Sequence, residues 1–202
     1  MKEVLRSVSR TLSDTDFFLA GGTALALLEG HRISIDLDLF SATFEDPEYL
    51  LLTVERALPN AVATLIAPRR LYLDIDGTSV SMMGYEYPPV APVLRTEPDL
   101  LPLASRDDIA AMKLAAIASR GSRKDFVDLW WLVTRHRSLP EYLGLFSEKF
   151  RARDVGHVVR ALTFFDDADL EPPLRYLAEI DWDRVKRDIA CWVVELVSAD
   201  ES

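Results

Sequence analysis

The chain has 202 residues, 49% of them apolar and 28% charged, with a net charge of −10. A chain of this length buries enough apolar surface to need no staples, and its one cysteine, Cys191, excludes an internal disulfide, so a reducing, cytoplasmic setting is expected. The acidity argues against a broad surface for coating nucleic acid, and no apolar run approaches the ~20 residues that span a bilayer.

Val4, Leu5, Val8 and Leu12 fall at helical spacing and predict a first helix. Residues 16–20 read as a short buried strand running into Gly21-Gly22. A helix follows from Thr23 to about Glu29, with Gly30 at its end. From Ile33 the pattern alternates: Ile33, Ile35, Leu37 and Leu39 on one face, Ser34, Asp36 and Asp38 on the other. Asp46-Pro47 opens a helix that Pro59-Asn60 closes. Residues 61–66, 70–75 and 79–85 read as strands, the last two joined by Asp76-Gly77, a strong hairpin signal. The proline-rich stretch 88–102 reads as a linker. Beyond it lie only helical patterns, at about 106–119, 122–135, 139–150, 154–165 and 181–198. The expected fold class is therefore α+β, with a mixed-sheet domain over residues 1–97 and an all-helical domain over 98–202.

Asp36 and Asp38 carry the first chemical signal. Two carboxylates at i and i+2 on a strand share a face about 7 Å apart, and raise each other's pKa unless a cation neutralises them. Magnesium suits such a pair, since it takes carboxylate oxygens and keeps positions for water and phosphate. Gly21-Gly22, opening a helix, offers backbone N–H groups to an anion, and Thr23 can add a hydroxyl. Acids facing a phosphate cradle are the equipment of phosphoryl or nucleotidyl transfer.

The residues Leu19-Ala20-Gly21-Gly22-Thr23-Ala24-Leu25 and His31-Arg32-Ile33-Ser34-Ile35-Asp36-Leu37-Asp38-Leu39-Phe40 resemble the first motif of polymerase-β-type nucleotidyltransferases. With a second block, Ala111 to Ile117 and Arg120 to Leu129, they resemble more narrowly the AbiEii/AbiGii toxins of type IV toxin–antitoxin systems. The resemblance implies a polymerase-β-like sheet domain and transfer of a nucleotide from an NTP, with Mg2+, to an RNA acceptor such as the tRNA 3′ end. It also implies a separately encoded antitoxin. Gly21, Gly22, Thr23 and Ser34 would then face the nucleotide, Asp36 and Asp38 would hold the metal, Lys113 would contact phosphates, and Asp125 would be its acidic partner. Asp128 reads instead as an ordinary ion-pair partner. Residues 110–160 hold ten Lys or Arg against five acids, a local +5 where an RNA end would dock.

The family pattern breaks at a third carboxylate, expected on the strand after Asp76-Gly77; the outward position there is Ser81, with Asp74 on the preceding strand as a stand-in. That gap leaves a catalytically degenerate nucleotide-binding or partner-binding module as an alternative. Leu73-Asp74-Ile75-Asp76-Gly77-Thr78 also matches the DxDGT motif of haloacid-dehalogenase-type phosphatases, which needs a βα crossover after it. Ser34, beside the two acids, is a candidate for inhibitory phosphorylation.

Overall fold

The computed structural model describes residues 1–200. The chain forms two compact units. One comprises Met1–Leu27 with Ser34–Ser105; the other takes Leu28–Ile33 together with the chain from Arg106 onward.

In the first unit, α1 (Lys2–Thr11) buries Val4, Leu5 and Val8 along one stripe. The strands β1 (Phe18–Ala20), β2 (Leu37–Ser41), β3 (Ala61–Ala67), β4 (Arg70–Ile75) and β5 (Thr78–Gly84) form one mixed sheet in the order β1-β2-β5-β4-β3. Only β2 and β5 run parallel. Leu19, Leu37, Leu39, Leu71, Leu73, Ile75, Val80 and Met82 share one face of the sheet and are fully or almost fully buried. Each such side chain contributes roughly 1.5–3 kcal/mol relative to exposure, which makes this face the main stabilising surface of the unit. The helix α3 (Pro47–Ala57) packs on β3 and β4. Asp46 caps it by accepting from the Tyr49 amide at 2.9 Å, with Pro47 in the first turn where no donor is needed.

Asp76 and Gly77 both have positive φ, 52° and 75°, so β4 and β5 close as a tight hairpin. The DxDGT match therefore lies in a hairpin with no βα crossover, and the phosphatase reading loses its required context. The proline-rich stretch also departs from expectation. Leu94 and Leu103 exchange backbone hydrogen bonds at 2.7 and 2.8 Å, and Leu19 bonds Pro102 and Ala104, both at 2.8 Å. Residues 94–104 are thus stitched to β1 instead of running free, because Leu101 and Leu103 are apolar enough to bury.

Strand β2 begins at Leu37, four residues later than the alternation predicts, and Ile35 is 61% exposed instead of inward. Sheet pairing governs the difference: Asp38 pairs with Ala20 and Ser81, Leu37 with Val80, whereas Ile33 to Asp36 have no partner strand in the sheet.

In the second unit, α4 (Arg106–Arg120) packs against α5 (Arg123–Arg135), α6 (Leu139–Phe150) and α7 (Gly156–Ala161). The α5 helix also meets α8 (Asp166–Leu170) and α9 (Trp182–Asp200). Ser138 and Glu141 form a reciprocal capping box at the start of α6. The single helix expected over 154–165 is interrupted. The Thr163 and Phe164 amides turn back to Arg160 and Ala161 in i→i+3 bonds, tightening and ending α7.

Candidate active site

The helix α2 (Gly21–Glu29) starts immediately after β1, so its first amides, which have no partner within the helix, emerge at the end of the sheet. Gly21 has φ +66°, a conformation natural to glycine. A Cβ at Gly21 would lie 2.7 Å from Asp38 Oδ2. That near-contact decides the orientation of the motif: the Asp38 carboxylate is seated against the Gly-Gly bend. The β1–β2 register makes it so, since Ala20 is the direct partner of Asp38.

Thr23 is almost wholly buried. Its hydroxyl bonds Ser34 Oγ at 2.9 Å and donates to the Asp36 backbone carbonyl at 2.5 Å. Both Thr23 and Ser34 thus hold the loop that carries Asp36. Asp36 and Asp38 are half-buried. Across the sheet, Ser81 is the direct neighbour of Asp38 on β5, and Tyr72 the next on β4. Ser81 therefore stands where a carboxylate would join the pair. Asp74 lies in the adjacent row, opposite Ser79, and accepts from the Gly77 amide at 3.0 Å, a hairpin-closing role.

The donor set fits a hard divalent cation in one respect and lacks another. Two half-buried carboxylates, one of them seated against the glycine bend, match the one or two carboxylates plus substrate phosphates that magnesium takes. Among the described residues no group of three or more His, Cys, Asp or Glu side chains is assembled for a metal by the protein alone. Ser81→Asp should supply the missing group. We expect it to destabilise the fold by about 0.2–1 kcal/mol through like charges on paired strands, and by less where a divalent cation binds the pair, as read by urea unfolding with and without Mg2+.

Lys113 and Asp125 lie in the second unit, within a buried charge cluster. Asp128, fully buried, accepts from Arg32 Nε and Nη2, both at 2.7 Å, and from His31 Nε2 at 2.8 Å. Its Oδ2 also pairs with Lys113 Nζ at 2.7 Å. Asp125 accepts from Lys113 at 2.8 Å and from Arg120 Nε at 2.8 Å. Burial would push the Asp128 carboxyl up, but Lys113, Arg32 and His31 hold it far below the usual carboxylate range. Burial likewise opposes ionisation of Asp125, and Lys113 with Arg120 more than compensates. Lys113 is held charged against its own burial by Asp128 and Asp125. An ionised carboxylate can only accept, so His31 presents a protonated Nε2.

This cluster revises three expectations. Lys113 is 4% exposed and engaged with both aspartates, so any phosphate contact would rest on its remaining donor. Asp128 is the most heavily bonded acid of the cluster, not a routine surface partner. His31 and Arg32, to which the sequence assigned no role of their own, are central to it; the available signal was a His-Arg pair directly after Gly30, within the same motif as the two aspartates. The +5 stretch also shrinks as a surface, since Lys113, Arg123 and Lys149 are buried, Arg123 on the Ala168 carbonyl and Lys149 on Asp108.

The sequence profile described as "Nucleotidyl transferase AbiEii toxin, Type IV TA system" matches residues 3–74 and 63–190. The chain belongs to the AbiEii nucleotidyltransferase toxin family. It is 36% identical over 185 residues, covering 85% of this chain and 87% of the relative, to an uncharacterised protein, aq_aa25, of Aquifex aeolicus (strain VF5). Among solved structures, JHP933 from Helicobacter pylori superposes with a TM-score of 0.59 at 20% identity, over 99% of this chain and 91% of that one. The MenT4 nucleotidyltransferase toxin Rv2826c from Mycobacterium tuberculosis H37Rv gives a TM-score of 0.59 at 19% identity, over 95% and 82%. These likenesses establish the nucleotidyltransferase fold. Family membership makes the chain a nucleotidyltransferase of the toxin class, with a nucleotide triphosphate substrate and an antitoxin implied. Among the described residues, no helix of this AbiEii family member is long and apolar enough to cross a membrane.

Proposed function

We propose that this AbiEii-type enzyme transfers a nucleotide from an NTP to an RNA acceptor, with the tRNA 3′ end as the first candidate, in a magnesium-dependent reaction in the cytoplasm. The acceptor hydroxyl attacks the α-phosphate, a phosphodiester forms, and pyrophosphate leaves. The single observation that carries the reading is the seating of Asp38 against Gly21, which puts a carboxylate beside the helix-opening amides of α2. Gly21 and Gly22 would receive phosphate oxygens on those amides, and the dipole of α2 favours that charge. Asp36 and Asp38 would hold the cation, which, when bound, neutralises phosphate charge and acidifies the attacking hydroxyl. Thr23 keeps Asp36 in place through its backbone carbonyl.

Ser81 at the third position favours slow turnover, and it is what sustains the degenerate alternative. The test is incubation of purified protein with Mg2+, each labelled triphosphate in turn, and total tRNA. Label on RNA that disappears in Asp36→Asn supports the enzyme. Nucleotide binding without any transfer, in wild type and variant alike, would leave the binding module.

A further inference from the structure

The face of the first unit's sheet turned away from its core carries the candidate active site. Ala20, Asp38, Ser81 and Tyr72 form one row across that face, each the register partner of the next, and from Asp38 outward none of them is buried. Gly21 and the amides that open α2 follow β1, on one side of Asp38; Ser81 and Tyr72 lie on the other. Phosphoryl transfer places the attacking and leaving oxygens roughly in line. With pyrophosphate leaving on the glycine bend, the acceptor hydroxyl has to arrive along the row, from the side of β5 and β4.

Neighbouring strands lie about 4.8 Å apart, so Tyr72, two strands from Asp38, stands roughly 10 Å away, within the reach of one nucleotide. Tyr72 is half-buried, and its hydroxyl donates to Met83 Sδ at 3.8 Å. Met83 lies two residues beyond Ser81, the partner of Tyr72, so the ring leans across β5 instead of standing out into solvent. A ring laid over a sheet keeps one face for the strands and offers the other. Arg70, two residues before Tyr72 on β4, shares this side of the sheet and is exposed. Glu45 and Glu86 pair with Arg69, its chain neighbour, and among the described residues no carboxylate engages Arg70.

We infer that Tyr72 and Arg70 bind the terminal nucleotide of a single-stranded RNA acceptor, its base stacked on the ring, its phosphate on the guanidinium and its hydroxyl turned along the row toward Asp38. The assignment rests on the nucleotidyl transfer proposed above. An aromatic face beside an unpaired guanidinium is the combination that holds single strands without reading a sequence, since every base has a π-face. One free cation suits one phosphate, so an acidic chain can hold an RNA end here without the many cations that a long footprint needs.

The probe is a fluorescein-labelled five-nucleotide RNA with a free 3′ hydroxyl, titrated by anisotropy at two salt concentrations; a fluorescent, non-hydrolysable ATP analogue with Mg2+ reports donor binding in parallel. Tyr72→Ala should weaken RNA binding about tenfold and leave the analogue unaffected, whereas Tyr72→Phe keeps the ring and should bind RNA as wild type. Arg70→Gln, an exposed change that does not touch the core, should weaken RNA binding and lower the salt slope by about 0.7. Tyr49→Ala, which removes a tyrosine exposed on α3, should change neither ligand. Unchanged RNA affinity in both Tyr72→Ala and Arg70→Gln would overturn the assignment, as would absence of RNA binding by the wild-type protein. Loss of the ATP analogue in Tyr72→Ala with RNA binding intact would also overturn it, giving the ring to the donor base. Binding is read without turnover, so RNA held through Tyr72 and Arg70 with no label transfer would keep this site and count against the reaction, and label transfer with unaltered variants would do the reverse.

Discussion

Gly21→Ala should cut nucleotide transfer by on the order of a hundredfold, whereas Gly30→Ala should leave it near wild type. Both glycines have positive φ, +66° and +63°, so both substitutions carry the same left-handed strain of about 1–2 kcal/mol. They differ in what the new methyl meets. At Gly30 nothing lies within 4 Å; at Gly21 the Cβ would be 2.7 Å from Asp38 Oδ2 and 3.5 Å from its Cγ. The carboxylate must move, and reacting groups displaced by about 1 Å cost two orders of magnitude. Thermal unfolding should therefore shift similarly in the two variants, by a few degrees, while the rate of nucleotide transfer separates them. An equal activity loss in both would mean that backbone strain, and not crowding of Asp38, controls the site.

Asp128→Asn should be the most destabilising single-atom-scale change in the second unit, by about 3–5 kcal/mol, because it leaves Arg32 and Lys113 buried without their shared anion. Against a typical total of roughly 5–15 kcal/mol, that is a large share. The control is Asp107→Asn, which breaks an exposed pair with Arg137 and should cost under about 1 kcal/mol. The pH dependence has a defined sign. Asp128 and Asp125 have depressed pKa values in the folded chain, so their stabilisation is present above the unfolded carboxylate value near ~4 and is lost as pH falls through the folded values. Wild-type stability should fall steeply on acidification below about pH 5, and Asp128→Asn should show a shallower slope over the same window. Urea unfolding at a series of pH values measures both quantities. A shift of less than about 1 kcal/mol for Asp128→Asn would show that the cluster relaxes or admits water.

The local features of the sequence anticipated much of this fold. The stripe of Val4, Leu5 and Val8, the Asp46-Pro47 cap and the Asp76-Gly77 hairpin each act over a few residues, and each formed its element within a residue or two of expectation. The Gly-Gly and Asp36/Asp38 pattern was also legible, since alternation and turn chemistry are short-range properties. The helix break after Ala161 was not legible, because no Gly or Pro marks it and the tightening bonds come from the backbone alone.

What the sequence determined by itself is the α+β class, the order of elements and the residue types of a nucleotidyltransferase motif. Tertiary structure alone decided that Asp38 faces Gly21, that Ser81 stands beside it, and that Asp128 gathers Arg32 and His31 across 96 and 97 residues of chain. The reason is physical. Periodicity and turn propensity act between neighbours, whereas strand register and the pairing of buried charges are fixed by which distant surfaces exclude water together.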